Sequence, residues 1–139
     1  MPNHKTHEVA GIITTPLVFA GSIYYTGNMD TALVLSAAYV FSIYYLSPDL
    51  DIDSAPYHRW HFLMPLWYPY KTIIKHRSWL SHSGPISATI RFGYMALLAL
   101  LVAWVFNYPL TFTPWYVILL VGMILADTLH TLLDVVWKG

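Results

Sequence analysis

The chain has 139 residues, 57% of them hydrophobic and only 10% charged, where a soluble domain carries about 25% charged residues. So few charges cannot cover a water-facing surface of this size, so lipid must cover much of it. A net charge of zero gives no pull toward nucleic acid, and the absence of cysteine excludes disulfides and thiolate metal sites.

Four apolar stretches follow in chain order: Val9 to Tyr25, Thr31 to Leu46, Phe92 to Phe106, and Trp115 to about Val136. The first three lie near the ~17-residue lower bound for a spanning helix, so the spans are short or are extended by the Tyr and Trp at their ends. Tyr24, Tyr25, Tyr44, Tyr45, Trp104, Tyr108, Trp115 and Tyr116 fit interfacial belts. Val18-Phe19-Ala20 resembles a signal-peptide cleavage site. Thr14, Thr15 and Pro16 interrupt the apolar run before it, and the first helix is expected to be retained. Gly27-Asn28-Met29-Asp30 predicts a tight turn between the first two spans, and Asn107 to Pro114 a turn between the last two. The long connection from Ser47 to Arg91 is rich in Pro, Trp and Tyr. It is expected to lie on the membrane surface and to contain short interfacial helices. The expected fold is therefore all-α, an integral membrane protein of about four helices, with residues 1–139 forming one membrane-embedded metal-binding domain.

The seven cations are Lys5, Arg59, Lys71, Lys75, Arg77, Arg91 and Lys138. None falls in the two short turns. With four spans they share one side, which the positive-inside rule makes cytoplasmic, with both termini there, in an inner or plasma membrane.

The same side receives nearly all the other ionisable groups. His7 and Glu8 begin the first span. Asp49, Asp51 and Asp53 follow the second, where three like charges repel unless a cation sits among them. The alternative there is an ordinary acidic turn. His76 and His82 are six residues apart, a spacing that does not fit one helix face, so a turn or helix start is needed to bring them together. Ser81 or Ser83 would cap the helix that follows. Arg77 and Arg91 would neutralise a phosphate or an acidic partner. Asp127, His130 and Asp134 are spaced i, i+3, i+7 and share one helix face. Ionisable groups at membrane depth are costly unless paired or coordinated. A capped helix end with an Asp–His hydrogen bond is one reading. Coordination of a hard or borderline cation by carboxylate and neutral imidazole explains all three together. His4, His58 and His61 carry weaker signals, since His near interfacial Trp and Tyr is common.

In this order and placement, Thr6-His7-Glu8, Ser47-Pro48-Asp49-Leu50-Asp51, Lys75-His76-Arg77-Ser78-Trp79-Leu80-Ser81-His82-Ser83 and Asp127-Thr128-Leu129-His130 with Asp134 resemble uncharacterised membrane metal-binding proteins. That family is related to the YdjM-like membrane-bound metal-dependent hydrolases, and the stretch from Trp60 to Tyr70 and Arg91 also fit it. The resemblance implies His7, Asp49, Asp51, His76, His82, His130 and Asp134 as metal ligands. The wider group is similar to the zinc-dependent phospholipase C and single-strand nuclease fold, an analogy of fold that establishes no reaction.

The expectation is one or two divalent ions, zinc first, serving a hydrolase at the cytoplasmic membrane face. Asp53 or Glu8 would act as base. Arg77 or Arg91 would hold a phosphoester or lipid headgroup, with membrane lipid as the partner and no nucleic acid. The rival is a scaffold or accessory subunit with a structural metal. Axial haem ligation would leave the carboxylates unexplained.

Overall fold

A computed structural model describes residues 3–138, and of Lys138 only the backbone. The side chain of Lys138, one of the cations used above for orientation, lies outside the described residues. Among the described residues, seven α-helices follow in order: α1 (His4–Thr26), α2 (Met29–Tyr45), α3 (Ala55–His58), α4 (Tyr68–Ile73), α5 (Trp79–His82), α6 (Pro85–Val105) and α7 (Trp115–Lys138). Two 3-10 turns, Pro48–Asp51 and His61–Trp67, interrupt the long connection, and no strand occurs among the described residues. Four segments of the described residues are long and apolar enough to cross a membrane: His4–Thr26, Met29–Asp51, Pro85–Val105 and Trp115–Trp137. The protein is an all-α integral membrane protein.

The helix ends are set by local chemistry. Asn3 opens α1, its side-chain oxygen accepting from the Thr6 N–H at 3.1 Å. Gly27, at φ 61°, closes it by donating its N–H to the Ile23 carbonyl. Asn28 then caps α2 through the Thr31 N–H at 2.9 Å, so the chain reverses in two residues. Pro16 lies inside α1 without ending it, and the hydroxyls of Thr14 and Thr15 bond back to the Ala10 and Gly11 carbonyls at 2.8 Å.

α2 packs against both α1 and α7, and α7 packs in turn against α6. Both α2 contacts depend on missing side chains. A Cβ on Gly11 would stand 2.2 Å from Ile43 Cδ1, and one on Gly122 would stand 2.7 Å from the Ala38 Cβ. At Gly122, where the added Cβ would also stand 3.0 Å from the Tyr39 backbone nitrogen, such close approach between backbones supplies dispersion contacts where lipid leaves no hydrophobic drive between helices. The outward faces carry Leu17, Leu97, Leu101, Trp104, Val121 and Leu132, an apolar surface suited to lipid.

The long connection folds back onto the bundle instead of lying free on it. Arg59 and Trp60 donate to the Tyr44 and Tyr45 carbonyls at 3.0 and 2.9 Å, satisfying the open end of α2. Trp67, Tyr70 and Ile74 are buried in one core with Leu46, Leu50, Ala88 and Met123. Phe62, Tyr68, Ile73 and Trp79 of the same connection point outward. It is thus an aromatic layer with a buried face and an exposed apolar face.

Two local expectations are corrected. The third long helix starts at Pro85, seven residues before the apolar run, because Pro suits the first helical position and Ser87, Ala88 and Thr89 continue the helix. This places Arg91 inside α6. Neither Ser81 nor Ser83 caps it, since the residue before Pro85 is Gly84.

Candidate metal centre

Five chain segments deliver imidazoles and carboxylates to one end of the bundle. His7 comes from the first turns of α1, and Asp49 and Asp51 from the 3-10 turn after α2. His76 follows α4, His82 ends α5, and His130 and Asp134 sit in the C-terminal half of α7. The 3-10 turn explains how Asp49 and Asp51 serve different neighbours. At about three residues per turn, positions two apart diverge by about 240°. Leu50 between them is fully buried in the core and fixes the turn. Ser47 Oγ accepts from the Asp49 N–H, and Ser54 Oγ donates to the Asp49 carbonyl at 2.7 Å. The backbone of Arg77 lies at φ 55° and turns the chain between His76 and α5.

Three overlapping trios result, each with ligand atoms within 4.8 Å of one another: His7, His130 and Asp134; Asp49, His82 and His130; Asp51, His76 and His82. These are the seven residues that the resemblance implied. Four contacts fall at 3.3 to 3.8 Å: His7 Nε2 to Asp134, His130 Nε2 to Asp134 and to Asp49, and His82 Nε2 to Asp49. They are too long for good hydrogen bonds. They suit the edges of a coordination shell, where bonds of about 2.0–2.2 Å hold adjacent donors roughly 3–3.5 Å apart. The rings of His7 and His130 stack at 3.8 Å.

The proton inventory points the same way. His76 Nδ1 sits 2.8 Å from Asp51 Oδ1, a hydrogen bond that leaves Nε2 to bind elsewhere. His82 Nδ1 is 2.8 Å from Ser81 Oγ, whose own hydroxyl can donate to the Lys75 or Ser78 carbonyl at 3.3 Å. With Nδ1–H donating to Ser81, the bare Nε2 of His82 faces the Asp49 carboxylate, and two lone pairs face each other unless a cation lies between. Asp51 Oδ2 and His7 Nδ1 are buried without a hydrogen-bond partner. The donor set, imidazole and carboxylate without thiolate, fits a borderline divalent ion. His7, Asp49, His76, His82, His130 and Asp134 also line a cavity of about 170 Å³ with Ile52 and Arg77.

The remaining candidates lie elsewhere. Asp127 forms an ion pair with Arg91 and accepts from Ser87 Oγ at 2.6 Å, with Asp127 1% and Arg91 0% exposed. Tyr70 completes this network by accepting from Arg91 at 3.4 Å, and burial pushes the Tyr70 phenol up so that it stays neutral. Glu8 pairs with Arg59 at 2.6 Å. Asp53 pairs with His58 at 2.6 Å on the surface. His4 and His61 are exposed. Sequence reasoning missed Ser81 as the partner of His82, although a hydroxyl beside a candidate ligand was signal enough. It also missed Ser87 and Tyr70, which no local pattern linked to Asp127.

Comparison with known proteins matches residues 2–116 to a family described as "Uncharacterized metal-binding protein (DUF2227)". That match includes His7, Asp49, Asp51, His76 and His82 and ends before His130 and Asp134. A protein of Aquifex aeolicus (strain VF5), described only as uncharacterized, is 30% identical over 130 residues, covering 77% of this chain and 92% of its own. No solved structure matches. These matches reach a family of metal-binding proteins and do not extend to the YdjM-like hydrolases specifically.

Proposed function

The chain belongs to this family of uncharacterised metal-binding proteins, and from that premise we propose that it is a metal-dependent hydrolase acting on a phosphoester or lipid headgroup at the cytoplasmic membrane face. His7, Asp49, Asp51, His76, His82, His130 and Asp134 hold the divalent ion or ions, zinc first among the candidates. A divalent ion at such a site supplies Lewis acidity and an acidified water near neutral pH. The chain's own residues do the rest. Ser81 and Asp51 fix the tautomers of His82 and His76. Arg77, on the cavity wall, binds the anionic group of the substrate. The Arg91–Asp127 pair holds α6 against α7 below the ligands. Residues 1–139 act as one domain, and the YdjM-like likeness of the motifs agrees with hydrolysis. The cations of the long connection support a cytoplasmic site.

The observation that carries this reading is the cavity of about 170 Å³ bordered by the ligand atoms and by Arg77. A purely structural site is closed by its ligands, whereas a catalytic one keeps space beside them. The test is metal analysis of the purified protein, followed by phosphate release from a phosphatidic acid–phosphatidylcholine micelle. Bound divalent metal, hydrolysis abolished by chelator and restored by zinc, and a raised KM in Arg77→Ala are expected. Metal present at full occupancy with no hydrolysis of phosphomonoester or phosphodiester would refute it.

A structural staple is the second reading, favoured by one fact: the donors come from five separate chain segments. On that reading metal raises thermal stability and no turnover accompanies it.

A further inference from the structure

The three trios are not equivalent. The first and third share no residue, and the middle one takes His130 from one and His82 from the other. Only Asp49 is new to it. The two oxygens of Asp49 face different neighbours, Oδ1 toward His82 Nε2 at 3.6 Å and Oδ2 toward His130 Nε2 at 3.8 Å. We infer that Asp49 is a bridging carboxylate between two ion positions, one completed by His7, His130 and Asp134 and the other by Asp51, His76 and His82. This deepens the metal reading above and rests on it.

Three physical arguments carry the assignment. Each outer trio plus one Asp49 oxygen makes four donors, the number a tetrahedral site needs. A single ion in the middle trio would leave His7, Asp134, Asp51 and His76 without a role. It would also leave Oδ2 of the fully buried Asp51 side chain without a partner, Oδ1 alone being bonded to His76. Charge gives the third argument. Three carboxylates and four neutral imidazoles sum to −3, so one dication leaves the site at −1 and two leave it at +1. Only the second balance, with Arg77 beside it, attracts an anionic ligand. The two half-sites also differ in support. The His7 half rests on the long helices α1 and α7, and the His76 half on the connection between α2 and α6.

The experiment counts ions on the full chain in detergent, using Mn2+ as the probe and electron paramagnetic resonance as the readout. The parent should bind two Mn2+ per chain and give an exchange-coupled spectrum at two equivalents. His7→Ala and His76→Ala should each bind one and give an uncoupled six-line spectrum. Asp49→Asn should lose the coupling even where two ions are taken up. If a variant fails to fold, the parent titration alone decides, because uncoupled signal growing through two equivalents overturns the bridge. One ion per chain, lost in both half-site variants, also overturns it and leaves a mononuclear metal protein. No ion in the folded parent removes the metal reading as well.

Discussion

Asp127 and Asp134 stand seven residues apart on the same side of α7, about 10 Å along the axis, yet their surroundings differ completely. Asp127 is sealed between helices with a guanidinium and a hydroxyl, so its charge is answered by a fixed cation from α6. Asp134 faces His7 and His130, two imidazoles that bring no charge while neutral. The first carboxylate belongs to the architecture of the bundle. The second is left with donors of electron pairs around it, which is what a mobile cation requires. Identical chemistry two turns apart has been put to two uses by the partners that packing supplies.

Removing the fixed pair should have the largest effect. Asp127→Ala strands the buried Arg91 charge, a class of change that costs about 3–5 kcal/mol. Thermal unfolding in detergent should show a large loss for Asp127→Ala and a much smaller one for Asp134→Ala measured with chelator. Equal losses in the two would erase the distinction.

Adding metal should reverse the ranking. A ligand present at about 100 times its Kd stabilises by about 2.7 kcal/mol. Zinc should therefore raise the melting temperature of the parent, and the rise should shrink in Asp134→Ala and His130→Leu, which leave the Asp51, His76 and His82 position intact. A zinc shift that survives unchanged in His130→Leu would return α7 to a structural role only.

The smallest effect is expected at Asp53. Its carboxylate is 70% exposed and paired with an exposed His58, and such surface pairs contribute about 0–1 kcal/mol. Asp53→Asn should leave both melting temperature and metal content as in the parent. Loss of hydrolysis in this variant with metal retained would restore Asp53 as the base.

Much of this was legible along the chain. Hydropathy located four spans, because burial in lipid is a property of each segment by itself. The i, i+3, i+7 spacing put Asp127, His130 and Asp134 on one face, because helix geometry is local. Motif order singled out seven candidate ligands, and the fold draws those seven residues into overlapping groups. Arg91 shows where local reading stopped. A charge ended the apolar window, so Arg91 was expected in the connection, whereas it lies inside α6, fully buried.

The sequence by itself thus determined the class of protein and the inventory of its donors. Tertiary structure alone decided which carboxylate meets a cation and which meets imidazoles. Arg91 and Asp127 are 36 positions apart, and Ser87 and Asp127 are 40. No local rule links residues at such separations. Their pairing depends on α6 and α7 lying side by side, as the division of Asp49 between His82 and His130 depends on one 3-10 turn packed against α4 and α5 with Leu50 in the core.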